Sequence, residues 1–281
     1  MVDLSDMTVP ALAVTGEELW MAYAATGDTI TGRLDPSGAT SQLAHFPLDP
    51  EWHLILPLDD GMAAFFSTAR PSVSTGSFDA QGRFTDRVTS PLGGFFHSAI
   101  GLPGSRIMWN RVVHDSGVQR SVSVVGKVFP DGRHEFVSEP YLLDFWSAIV
   151  HVGSGLILFS NGQTGLAATG RVTADGAFVD LGKSFTFDPW TTIRSTGDGM
   201  VLFYNSANGL MATGRVLDDG TYIDLHTQFV GQMQFTPTTG GRYVIFRGAD
   251  TLVARLDDGG VFRDTRIVRG MPRQRNVVFV R

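Results

Sequence analysis

The chain has 281 residues, 43% of them hydrophobic and 18% charged, with 33 glycines, 13 prolines, no cysteine and a net charge of -6. The lack of cysteine excludes disulfides, thiolate chemistry and cysteine metal ligands, and the acidic balance argues against a nucleic acid partner, which calls for a basic footprint. Abundant glycine and few helix formers suit an all-β fold rich in tight turns, and no apolar run is long enough to cross a membrane as a helix.

The first residues, MVDLSDM, hold neither a basic segment nor an apolar run. A signal peptide is therefore not expected. The expected compartment is the cytoplasm, with signal-free secretion as the alternative. The segment VPALAVTG at 9–16 has the spacing of a first strand.

A repeat then runs down the chain. A small residue, a basic residue and an apolar residue recur at Gly32-Arg33-Leu34, Gly76-Ser77-Phe78, Gly126-Lys127-Val128, Gly170-Arg171-Val172, Gly214-Arg215-Val216 and Ala254-Arg255-Leu256. Six positions after the start of each stands a glycine: Gly38, Gly82, Gly132, Gly176, Gly220 and Gly260. The copies LILFSNGQTGLAATGRVTADG from 156 and MVLFYNSANGLMATGRVLDDG from 200 are nearly superimposable. Pairs such as Asp175-Gly176 and Asp219-Gly220 between alternating runs predict two-residue type I′ hairpins. That register sets Arg171 opposite Asp180, Arg215 opposite Asp224 and Arg255 opposite Asp264, as cross-strand ion pairs.

Each repeat holds four strand-like runs in about 44 residues, the signature of a propeller blade. The expected fold is thus all-β, one six-bladed β-propeller of four-stranded antiparallel blades, filling 1–281 as a single domain. Trp52, Phe96, Trp146 and Trp190 open the first strands and are expected to wedge between blades, with stacking on a sugar as the alternative. Phe65, Phe159, Phe203 and Phe246 on the second strands read as core. Two segments compete for the strand that closes the ring, 9–16 and RNVVFVR at 275–281. A run of arginines at 263, 266, 269, 273, 275 and 281 reads as a solvated edge, or else as a contact for an anion or partner.

Chemistry is harder to place. Repeat three has a second-to-third loop about six residues longer than its counterparts, running from Arg111 to Arg120 and carrying His114 and Asp115. Loops on a rigid scaffold are where function concentrates. His53 and His97 recur at one register, following Trp52 and Phe96, with no carboxylate repeated beside them. No metal site or cofactor is expected. The sequence contains no Gly-x-Ser-x-Gly, His-Glu-x-x-His, phosphate-binding loop or EF-hand motif.

The blade-opening Trp, the second strand of LFY type and the TGRV hairpin resemble bacterial tachylectin-like propeller repeats. That resemblance covers nearly the whole chain and implies sugar binding, with one pocket per blade junction. The leading expectation is a lectin-like protein that holds a glycan or small polar ligand through Trp146, Asn161, Asp188, Trp190, Tyr204 and Asn205. The alternative is an enzyme with a single site at the channel mouth, acting as hydrolase, lyase or isomerase on a small metabolite. Its candidate residues are the unrepeated His97, Trp109, His114 and Asp115. A protein-interaction platform is a third reading. Neither a nucleic acid nor a membrane partner is expected, and the sequence leaves the oligomeric state open.

Overall fold

Each repeat folds as one antiparallel sheet, and six such sheets surround a central channel. This is the arrangement in a computed structural model of the chain, which describes residues 12–14, 17–24, 26–49, 52, 54–67, 70–238, 241–248, 250–268 and 277–279. No helix occurs among them. Blade 5 shows the pattern, with strands Thr192–Ser195, Met200–Asn205, Leu210–Val216 and Tyr222–Phe229 in order from the channel outward. Inner strands of successive blades lie against each other and wall the channel. A sheet covered by neighbours on both faces must be apolar on both. The second strands obey this, with every residue of Met62–Ser67 and Leu156–Ser160 buried.

The outer hairpins differ from the type I′ expectation. In blade 5 the Leu217 N–H bonds the Thr221 carbonyl at 2.8 Å, and the Gly220 N–H bonds the Leu217 carbonyl at 2.8 Å. Gly220 has φ of 85°, whereas Asp219 is not among the residues with positive φ. This is a three-residue loop, a turn followed by a left-handed glycine, instead of two residues that are both left-handed. The extra loop residue moves the register by one. Arg215 therefore faces Ile223, and Arg171 faces Val179. The expected Arg171–Asp180 and Arg215–Asp224 ion pairs do not form, and the side chain of Asp264 lies outside the described residues.

The repeated arginine instead reaches the hairpin of the next blade. Arg33 donates to the Ala80 carbonyl at 2.9 Å, Arg171 to the Asp218 carbonyl at 2.7 Å, and Arg215 to the Asp258 carboxylate at 2.7 Å. The repeated threonine two positions earlier does the same. Thr31, Thr169 and Thr213 donate to the carbonyls of Gly82, Gly220 and Gly260 at 2.7, 2.8 and 2.8 Å. The glycine between them is required because an aromatic ring lies on it, that of Trp20 at Gly32, Phe178 at Gly170 and Tyr222 at Gly214. A Cβ at Gly214 would sit 2.2 Å from the Tyr222 hydroxyl oxygen. Thr-Gly-Arg in one blade and the glycine turn in the next are thus two halves of one contact.

Ring closure uses both chain ends. Leu12–Val14 pairs with residues 17–19 of the second strand of blade 1, and Val277–Phe279 pairs with residues 20–22 of the same strand. The inner strand of blade 1 is therefore two short pieces laid end to end. The junction with blade 6 is sealed by a buried ion pair, Glu18 Oε2 to Arg242 Nη2 at 2.7 Å, while Thr238 donates to Oε1 at 2.9 Å. Blade 3 is irregular at its rim, where His134–Phe136 and Tyr141–Asp144 share the outer position.

Candidate functional site

The blade-opening aromatics pack as wedges on the second strand of their own blade. Ring centroids lie 6.1 Å apart for Trp52–Phe65, and 5.7 Å apart for Phe96–Trp109, Trp146–Phe159 and Trp190–Phe203. Trp146 is buried, and Trp190 is half-buried. The polar groups named with them are largely taken up by backbone. Asn161 donates to the Phe145 carbonyl at 3.1 Å and accepts from Gln163 N–H at 3.0 Å. Asn205 repeats this with the Pro189 carbonyl at 3.0 Å and Ala207 N–H at 2.9 Å. Tyr204 bridges to blade 6, donating to the Gly231 carbonyl at 3.0 Å and accepting from Met233 N–H at 2.9 Å. These side chains tie the loop between second and third strands to a blade-to-blade connection. Asp188 is exposed on such a connection.

The unrepeated residues of blade 3 do not converge on one point. Trp109 is fully buried and donates its indole N–H to His134 Nε2 at 2.9 Å. His134 occupies the position held by Phe84, Phe178 and Tyr222 in other blades, and burial pushes its pKa down from 6.5 to about 4. His97 accepts the Val112 N–H at its Nδ1, 3.1 Å away, and so holds the edge of the long hairpin. His114 is exposed near the hairpin tip. Asp115 pairs with Val118 in the last rung; its side chain and His53 lie outside the described residues.

Two cavities are lined by described residues. One of about 320 Å³ occupies the channel, lined by Leu56, Ile100, Val150, His151, Arg194 and Thr238 among others. Arg194 brings charge to an inner-strand position that is apolar in blades 2 to 4, and desolvation lowers its pKa. The second cavity is larger, about 560 Å³, and lies between blades 1 and 2. Its apolar wall is Phe46, Leu48, Trp52, Phe65 and Phe84, and its polar rim includes Asp49, Ser67, Arg70, Ser72, Arg83 and Asp86.

The rim is organised. Ser74 Oγ donates to Asp86 Oδ1 at 2.6 Å, Thr89 Oγ1 donates to Ser74 at 3.1 Å, and Arg70 stands 3.9 Å from Asp49. The connection beside the cleft has counterparts in other blades. Leu48, Leu92, Phe187, Val230 and Val268 are equivalent, giving their N–H groups to the carbonyls of Gly27, Pro71, Gly165, Gly209 and Thr251 at 2.7, 2.7, 2.7, 2.9 and 2.7 Å. At the junction of blades 4 and 5, Phe187 packs on Phe203 at 4.9 Å and on Tyr222 at 4.8 Å. At the junction of blades 1 and 2 the smaller Leu48 takes that place. The sequence marked Trp52 as a wedge, with sugar stacking as the alternative, and did not mark Arg70, Arg83 or Asp86. Leu48 itself carried no signal, because its position is aliphatic in every described blade that shows the bond except the one holding Phe187.

No protein-family model matches the sequence, and no curated protein matches it either. Solved structures of similar shape exist. A provisionally named 6-phosphogluconolactonase from Bacteroides uniformis is 13% identical, with 95% of this chain and 100% of that one aligned and a TM-score of 0.61. Hsv2 from Kluyveromyces lactis is 15% identical over 90% of this chain and 76% of its own, at a TM-score of 0.55. Virginiamycin B lyase from Staphylococcus aureus is 13% identical over 95% and 86%, at a TM-score of 0.50. At such identities the likeness is one of fold. The propeller architecture of the tachylectin-like resemblance is present, but the family itself has no matching model.

Proposed function

We propose that this protein is a ligand-binding propeller whose main site is the cleft between blades 1 and 2, and that its ligand is a saccharide. The observation that carries this reading is Trp52, a half-buried indole on the wall of a 560 Å³ cleft whose rim bears carboxylate, hydroxyl and guanidinium groups. A pyranose presents an apolar face and an equatorial ring of hydroxyls. An indole suits the first, and Asp86, Ser67, Ser72 and Arg83 suit the second.

The reading excludes the junction of blades 4 and 5, where Phe187 fills the equivalent space. A glycan array on the wild-type protein, followed by titration of the best ligand into Trp52→Ala, tests it. Losing the stacking surface should weaken binding by about ten- to a hundredfold, the worth of burying one large side chain. Absence of any saccharide binding by the wild-type protein, or unchanged affinity in a folded Trp52→Ala, would overturn it.

A further inference from the structure

The long segment of repeat three is not an irregular loop. Arg106–Asp115 and Val118–Val128 pair without a break from Arg106 opposite Lys127 to Asp115 opposite Val118. The ribbon turns at Ser116 and Gly117, whose φ values of 50° and 82° are those of a two-residue type I′ turn. The turn expected for the outer hairpins is found here.

Residues opposite each other on a ribbon share a face, as do residues two apart. Arg111 stands opposite Val122, and Val113 opposite Arg120. Arg111 and Arg120 are therefore diagonal neighbours on one face, within mutual reach of long side chains. Trp109, at the base of that face, packs on Phe66 of blade 2 at a centroid distance of 5.1 Å. The two arginines thus project from the side of the ribbon that looks over blade 2. This is the opposite side of blade 2 from the Trp52 cleft.

Like charges so placed repel, and such pairs usually have carboxylates between them. Among the described residues neither guanidinium makes an ion pair, and the Nε of each is buried without a hydrogen-bond partner. Asp144 is level with Arg120 on the neighbouring strand, yet no ion pair joins them. Arg111 Nη1 passes over Gly94, where a Cβ would come within 3.3 Å of it. The connection leaving blade 2 is thus bare beneath the guanidinium.

We propose that Arg111 and Arg120 form a second site, which binds a tetrahedral oxyanion, the phosphate or sulfate group of a ligand. A carboxylate has two acceptor oxygens in one plane, matched by the fork of a single arginine. Two guanidinium groups arriving from different strands call for the larger number of acceptor oxygens that a tetrahedral group offers. The proposal is independent of the saccharide reading and does not use the Trp52 cleft.

The test is thermal denaturation in sodium phosphate, sodium sulfate and sodium chloride at matched ionic strength, on the wild-type protein and on Arg111→Gln/Arg120→Gln. Phosphate or sulfate should raise the melting temperature of the wild-type protein above its value in chloride, and the difference should shrink in the double variant to the general stabilisation that these anions give any fold. The stronger of the two anions tells phosphate from sulfate ligands. Calorimetric titration with that anion should show each single variant weakened by about tenfold or more, as expected for losing hydrogen bonds to a charged group. Equal melting temperatures of the wild-type protein in all three salts would overturn the proposal without recourse to any variant. So would an anion effect that persists undiminished in the double variant.

Discussion

Replacing Glu18 with alanine should cost this fold more than almost any other single change to a polar side chain. The carboxylate is 4% exposed, the Arg242 side chain is 11% exposed, and they meet at 2.7 Å. Removing one member of a buried pair leaves the other charge uncompensated, at about 3–5 kcal/mol. The Thr238 hydroxyl, itself buried, loses its acceptor as well, adding about 1 kcal/mol. Domains of this kind are stable by about 5–15 kcal/mol, so the loss is a large share of the total. Position sharpens the effect. Glu18 pairs with Ala13 of the N-terminal strand, two residues from Trp20, where pairing with the C-terminal strand begins. Urea unfolding followed by tryptophan fluorescence gives the number for Glu18→Ala, Arg242→Met and the double change Glu18→Leu/Arg242→Met. The double variant should regain most of the stability lost by either single one, because no charge is then stranded. A loss below about 1 kcal/mol for Glu18→Ala, well under the worth of a buried pair, would refute the claim that this contact seals the ring.

Two further stability predictions follow from the repeat contacts. Arg215→Ala should cost about 1 kcal/mol or less by the same unfolding assay, since its partner Asp258 is 96% exposed and such surface pairs are weak. The His134 ring has a pKa of about 4 in the folded protein against an ordinary 6.5. The unfolded chain therefore binds the proton first, and stability present above pH 6.5 falls as the pH drops toward 4. At 1.36 kcal/mol per pH unit the loss approaches roughly 3 kcal/mol. His134→Phe, which restores the ring type seen at Phe84 and Phe178, should flatten stability over that window. An unchanged slope in the variant would show that other groups carry the acid sensitivity.

Much of the architecture was legible because a propeller repeats its sequence with its structure. The repeated small-basic-apolar element and the trailing glycine fixed blade number and strand count. They did not fix the register across the hairpin. One loop residue more or less is invisible in Asp219-Gly220, but it decides whether Arg215 faces Asp224 or points along the rim. The contact that Thr213 and Arg215 make lies 40 or more residues onward, at Gly260 and Asp258. Nothing local in the sequence announces it. Ring closure was likewise posed by the sequence as a choice between two terminal segments, whereas the second strand of blade 1 is long enough to pair with both.

The sites were least legible, and for a related reason. Repetition marks what each blade needs in order to stack on the next, so residues found by repetition are structural by construction. Asn161 and Asn205 illustrate this: their recurrence drew attention, and both turn out to tie a loop to a carbonyl. Space for a ligand arises where stacking is incomplete, and charge without a partner arises where a blade departs from the pattern. The cleft beside Trp52 is an instance of the first, and the lengthened ribbon bearing Arg111 and Arg120 supplies the second. Both flank blade 2, on its two sides. A function confined to that sector should tolerate changes at the junction of blades 4 and 5 that preserve packing there. A multivalent lectin with equal sites would not, because each junction would then contribute to avidity.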